Sequence, residues 1–195
     1  MALTHICVFC GSSFGRGATY KAAAETLGHL FAERNITLVY GGARVGLMGA
    51  VADAVLGAGG QVVGVIPSSM LDREIAHEGL TKLHVVGSMH ERKALMANLS
   101  QAFIALPGGF GTLEEFCEIL TWGQLGLHQK PVALLNVDGY YDDLLALFDK
   151  AFSEQFIRAE HRQLIIHAAD PANILDQFAN YQPPTVQKWL DPDET

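Results

Sequence analysis

Short β-branched apolar runs fall at residues 5–9, 37–40, 61–66, 82–86, 102–106, 132–135 and 164–167. Between them, at 18–34, 47–58, 89–99, 112–127, 142–154 and 171–181, apolar positions recur at helical spacing. Regular alternation of strand and helix predicts an α/β fold, a parallel sheet covered by helices on both faces. No repeat or linker interrupts the pattern, so residues 1–181 read as a single domain. Residues 182–195, "QPPTVQKWLDPDET", read as a tail rich in Pro and Asp, whose Trp189 and Leu190 are expected to dock on the domain or on a partner chain.

In open sheets of this kind ligands bind beyond the carboxyl ends of the strands, so the loop after each apolar run is where chemistry is expected. After 5–9 comes "CGSSFGRG", where Gly11, Ser12 and Ser13 offer N–H groups and hydroxyls either to a polar ligand or to the cap of the next helix. After 37–40 comes "GGARVGLMG", a turn in which backbone approaches either a ligand or the neighbouring strand. Glu74, in the polar loop from Pro67 to Leu80, either faces a cleft or is solvated. Arg92 and Lys93 stand early in a helix, where positive charge is mildly unfavourable. They either answer a nearby anion or belong to a solvated face with His90 and Glu91.

The fifth run breaks into "ALPGGFGTLEEF". Gly108, Gly109 and Gly111 allow a sharp turn and close approach, and the helix that follows offers unpaired N–H groups to an anion. Thr112 and Glu115 also read as a capping box, with Thr112 as N-cap and Glu115 at the third helical position. The same geometry sets Glu115 at the mouth of an anion site and leaves Glu114, about 100° round the helix, in solvent. A carboxylate repels a phosphate unless a cation lies between them.

Charge and composition narrow the ligand classes. The 13 Lys and Arg against 21 Asp and Glu give a net charge of −8, which argues against nucleic acid as a partner. No apolar run approaches the roughly 20 residues that span a bilayer. The start "MALTHICVFCGSS" lacks a basic region and a cleavage site, so a cytoplasmic protein without membrane attachment is expected. Cys7 and Cys10, three apart in a strand, point to opposite faces and read as buried thiols. Neither Gly-x-Gly-x-x-Gly nor Gly-Lys-Ser/Thr occurs, which removes support for a dinucleotide or a Walker-type triphosphate site. No zinc-type Cys and His set and no Gly-x-Ser-x-Gly turn is present, and neither metal nor cofactor is expected.

"GLMG" at Gly46 to Gly49, "ERK" at Glu91 to Lys93 and "PGGFGTLEE" at Pro107 to Glu115 resemble the LOG ("Lonely Guy") family of cytokinin riboside 5'-monophosphate phosphoribohydrolases, with a likeness running from "CGSS" to "KPVALLN". The resemblance implies a Rossmann-like nucleotide-binding fold, a homodimer with sites near the subunit interface, and hydrolysis of the N-glycosidic bond of adenine-type nucleoside 5'-monophosphates. It implies Arg92 and Glu115 as catalytic residues, and Gly11, Ser12, Glu74, Lys93, Gly109, Gly111 and Thr112 as substrate-binding ones. Arg92 would then supply the missing cation. Ala43 and Arg44 depart from the further Gly and Ser of many relatives. Some relatives carry an older label of lysine decarboxylase, for which no pyridoxal phosphate pattern is seen. Two other readings share the phosphate cradle: a nucleosidase of broader range, and a non-catalytic carrier resembling the molybdenum-cofactor carrier proteins.

Overall fold

The computed structural model describes residues 3–71 and 76–184. Seven parallel strands form one sheet: β1 (His5–Phe9), β2 (Thr37–Tyr40), β3 (Val62–Pro67), β4 (Lys82–Val86), β5 (Ala102–Ala105), β6 (Val132–Leu135) and β7 (Ile165–Ala168), in the order β4-β3-β2-β1-β5-β6-β7. The helices are α1 (Thr19–Glu33), α2 (Gly46–Gly57), α3 (Met89–Leu99), α4 (Phe110–Gln124), α5 (Asp142–Ser153), the single-turn α6 (Ala159–Arg162) and α7 (Pro171–Ala179). Among the described residues, the sequence pattern found every strand and every α-helix except α6, whose four residues are too few to show a period.

Alternation along the strands builds two cores. Ile6, Val8 and Cys10 point to one face with Ile104 and Leu106, beneath Leu27 and Phe31 of α1, Val51 and Val55 of α2, and Ile174 and Phe178 of α7. Cys7 and Phe9 point to the other with Phe103, beneath Met96 of α3, Phe116 and Ile119 of α4, and Leu145 of α5. Burial on both faces is what an all-parallel sheet requires, and it explains why the strands read as continuous apolar runs. Among the described residues no helix is long and apolar enough to cross a membrane.

The sheet also settles the cysteines. Cys7 and Cys10 are buried, free and in different cores, as the strand period predicts. Burial, reinforced by the negative charge of Glu115, pushes both thiols well above their ordinary range. Cys117 is exposed. Titration with a thiol reagent at pH 8 is therefore expected to find one reacting thiol in the folded chain and three after unfolding; rapid reaction at Cys7 or Cys10 would contradict this packing.

Candidate active site

Strand order reverses between β1 and β5, and the cleft lies there, beyond the carboxyl ends of β1 to β5. It is a cavity of about 360 Å³, with Gly11 and Ser12 after β1, Gly41 after β2, Met70 after β3, Arg92 on α3, and Gly109, Gly111, Thr112 and Glu115 from the loop and helix after β5. Glu74 lies outside the described residues. Lys93 is not in the lining.

The helix α4 starts earlier than the capping box required. Gly109 is its N-cap, without any side-chain cap hydrogen bond, and Phe110 is its first residue. Thr112 is thus the third residue inside the helix, and the reading of Thr112 as N-cap with Glu115 at the third position is corrected. Glycine backbone lets the chain enter the helix three residues sooner than a Thr112 cap would. The N–H groups of the first turn, which have no acceptor within the helix, therefore open from the glycine segment itself. A Cβ built on Gly109 or Gly111 meets no protein atom within 4 Å, so no protein packing demands glycine there. Both line the cavity. At Gly108 the reverse holds: a Cβ would lie 2.1 Å from Thr112 Oγ1 and 2.8 Å from the Gly11 nitrogen, so the three segments close only around glycine.

A side-chain cap of the same spacing does occur, one strand away, with its glutamate reaching one residue further back than a capping box does. Ser88 caps α3, its Oγ accepting from the Glu91 N–H at 3.1 Å, while Glu91 Oε2 accepts from the Gly87 N–H at 2.7 Å. This places Arg92 a turn into α3 with its side chain 4% exposed. Its Nη2 donates to the Gly41 carbonyl at 3.0 Å, and Nη1 lies 3.7 Å from Met89 Sδ. A Cβ on Gly41 would fall 2.0 Å from that Nη2 and 2.6 Å from Met48 Cε. The glycine turn after β2 therefore makes room for the guanidinium of another element, an alternative to both ligand and neighbouring strand.

Lys93, the next residue, is also buried and faces α4, where Nζ donates to Glu114 Oε1 at 2.5 Å and to Glu118 Oε1 at 3.0 Å. Burial by itself lowers the lysine pKa, but the two carboxylates outweigh it and hold the ammonium above its ordinary range. Glu114, expected in solvent, is exposed and yet ion-paired. The pair joins the helix bearing Arg92 to the helix bearing Glu115.

The remaining lining was not singled out from sequence. Met48, Met70, Met89 and Met96 all line the cavity, four of the five methionines in the chain, together with Val8, Phe9 and Phe110. Their signal was available in part: three of them, in "GLMG", "SSM" and "GSMHERK", follow strand ends, where an apolar side chain has little core to join. The cleft thus combines backbone N–H groups, an arginine and a glutamate with apolar, deformable thioethers.

Sheet order, switch-point cleft and helix N-terminus define the class: a Rossmann-like α/β protein whose cleft sets a helix N-terminus beside a glutamate and a buried arginine. The chain belongs to the LOG family. The family described as "Possible lysine decarboxylase" matches residues 48–178. A protein of Oryza sativa subsp. japonica, named "Probable cytokinin riboside 5'-monophosphate phosphoribohydrolase", is 56% identical over 179 residues, covering 92% of this chain and 73% of that protein. A cytokinin riboside 5'-monophosphate phosphoribohydrolase of Arabidopsis thaliana is 52% identical over 178 residues, covering 91% and 83%. Among solved structures, the molybdenum cofactor binding protein of Rippkaea orientalis matches with a TM-score of 0.70 at 26% identity, covering 92% of this chain and 98% of that one.

Proposed function

We propose that this protein hydrolyses the N-glycosidic bond of adenine-type nucleoside 5'-monophosphates, cytokinin riboside 5'-monophosphates or AMP, releasing the free base and ribose 5-phosphate. The observation that carries the reading is the union, in one cavity, of an open helix N-terminus, Arg92 and Glu115. The N–H groups of Gly109, Gly111 and Thr112 hold the 5'-phosphate, with Gly11 and Ser12 closing its other side. The base lies on the methionines, whose flexible thioethers fit apolar substituents of more than one shape.

As the bond to the base stretches, positive charge grows on the ribose. Glu115 stabilises that charge or activates the attacking water, a role worth about 10²-fold or more in rate. Arg92 neutralises the repulsion between Glu115 and the phosphate. Lys93 acts on the nucleotide through the Glu114 carboxylate and the α3–α4 alignment, and Glu74 is assigned to the nucleotide by family resemblance. The working unit in this proposal is a cytoplasmic homodimer of the 1–181 domain, needing no cofactor. Phe110, 92% exposed, and Met89, 40% exposed, at the cleft support it, since a second copy would cover both.

Product chromatography tests the reading. Purified protein given AMP or isopentenyladenosine monophosphate is expected to release base and ribose 5-phosphate, whereas Gly109→Ala, whose added methyl meets no protein atom, folds normally and loses affinity for both. The similarity to a molybdenum cofactor binding protein supports the carrier as second reading; a retained pterin, with no base released from any nucleotide, would select it.

A further inference from the structure

Three consecutive carbonyls of the glycine loop are each taken by a donor from elsewhere in the fold. Leu106 O accepts from the Tyr141 hydroxyl at 2.6 Å, Pro107 O from the Gly11 N–H at 3.1 Å, and Gly108 O from the Tyr140 hydroxyl at 2.6 Å. The two tyrosines are adjacent and arrive on the turn between β6 and α5. Asn136 fixes that turn: its Oδ1 accepts from the Tyr141 N–H at 2.7 Å while its Nδ2 donates to Asp142 Oδ1 at 2.7 Å. Neither tyrosine lines the cavity, so the phosphoryl site as described makes no use of them.

We infer that Tyr140 and Tyr141 are positioning residues, a hydroxyl clasp that sets the polarity of the glycine loop for a phosphate monoester. This rests on the phosphate reading of the cavity. A loop that approaches an anion closely presents carbonyls as readily as N–H groups, and a carbonyl turned inward repels phosphate. In a trans peptide C=O and N–H point opposite ways. Fastening Gly108 O to Tyr140 therefore fixes the N–H of Gly109 in the same peptide unit, and a donor on the carbonyl strengthens that N–H as a donor in turn. Gly11 holds the Pro107 carbonyl, and with it the N–H of Gly108, in the same way; Tyr141 holds the Leu106 carbonyl, whose peptide ends on Pro107 and has no N–H, so that bond fixes the direction of the carbonyl alone. Gly109 itself, the N-cap of α4, supplies no side-chain hydrogen bond that could set its orientation.

The two hydroxyls can be removed with different collateral effects. Tyr140 is 43% exposed, and its ring packs edge-on against Tyr20 at 5.7 Å and Tyr141 at 4.9 Å between centroids. Tyr140→Phe keeps that ring packing and deletes only the bond to Gly108. Tyr141 is 1% exposed, so Tyr141→Phe also leaves a carbonyl in the interior without its donor.

The test is calorimetric binding of ribose 5-phosphate and of adenine, beside steady-state kinetics on AMP, for wild type and both variants. Tyr140→Phe is expected to weaken ribose 5-phosphate and raise the KM for AMP by about 10-fold. Its kcat, adenine affinity and melting temperature stay close to wild type. Tyr141→Phe loses ribose 5-phosphate affinity and melts lower. Unchanged ribose 5-phosphate binding by Tyr140→Phe, or an equal loss for adenine, overturns the clasp while leaving the proposed function standing. Wild-type protein that binds no ribose 5-phosphate overturns both.

Discussion

Glu115→Gln is expected to slow nucleotide hydrolysis by about 10²- to 10⁴-fold while leaving binding of the nucleotide close to wild type. Glutamine keeps the volume and most of the contacts but not the negative charge, and only the charge distinguishes a developing sugar cation from the ground state. Since α4 begins at Phe110 with Gly109 as its cap, Glu115 has no part in starting the helix, and thermal stability should be preserved. Single-turnover kinetics beside a melting curve check this. A variant that hydrolyses AMP normally but melts early would make Glu115 a structural residue.

Arg92→Ala is expected to lose both properties together. The side chain is 4% exposed and donates to Gly41 O, so its removal opens a hole and strands a carbonyl, at about 1–3 kcal/mol. Loss of the positive charge between glutamate and phosphate lowers kcat/KM by a further about 10²- to 10³-fold. Arg92→Lys separates the two effects. It retains the charge without the planar fork that reaches Gly41, so turnover should recover further than folding. Urea unfolding with AMP kinetics on both variants measures this, and full activity in Arg92→Lys would show that charge alone suffices.

Much of this architecture is legible in the bare sequence because it follows from periodicity. Ile6, Val8 and Cys10 alternate with Cys7 and Phe9, and the two sets lie in different cores. The loops at the strand ends, and hence the neighbourhood of Arg92 and Glu115, follow from the same pattern with the rule that parallel sheets bind ligands at that edge. What periodicity does not encode is which of two identical local signals is used. Thr112 to Glu115 and Ser88 to Glu91 have the same cap spacing, and only the second caps a helix, because glycine at 109 and 111 lets α4 start before its threonine. Nor does one segment name its partner in another. Lys93 meets carboxylates on α4, and Tyr140 and Tyr141 reach back to the glycine loop from more than thirty positions along the chain, with hydroxyls whose targets are main-chain atoms that carry no sequence signature.

Because β1 sits between β2 and β5, with Ile6 registered on Ala102, the cleft is assembled from the beginning and the middle of the chain and then fastened from β6. During synthesis the strands β1 to β4 and the helix α3 emerge first, carrying Ser12, Gly41 and Arg92, while one long edge of β1 waits for a strand not yet made. Such an edge is a template for pairing with any other chain. Under the proposed function, nucleotide affinity therefore arises late, after α4 and the tyrosine turn have left the ribosome, and a bound nucleotide would report that both halves of the sheet have met. The nascent first half is the species that most needs shelter from aggregation.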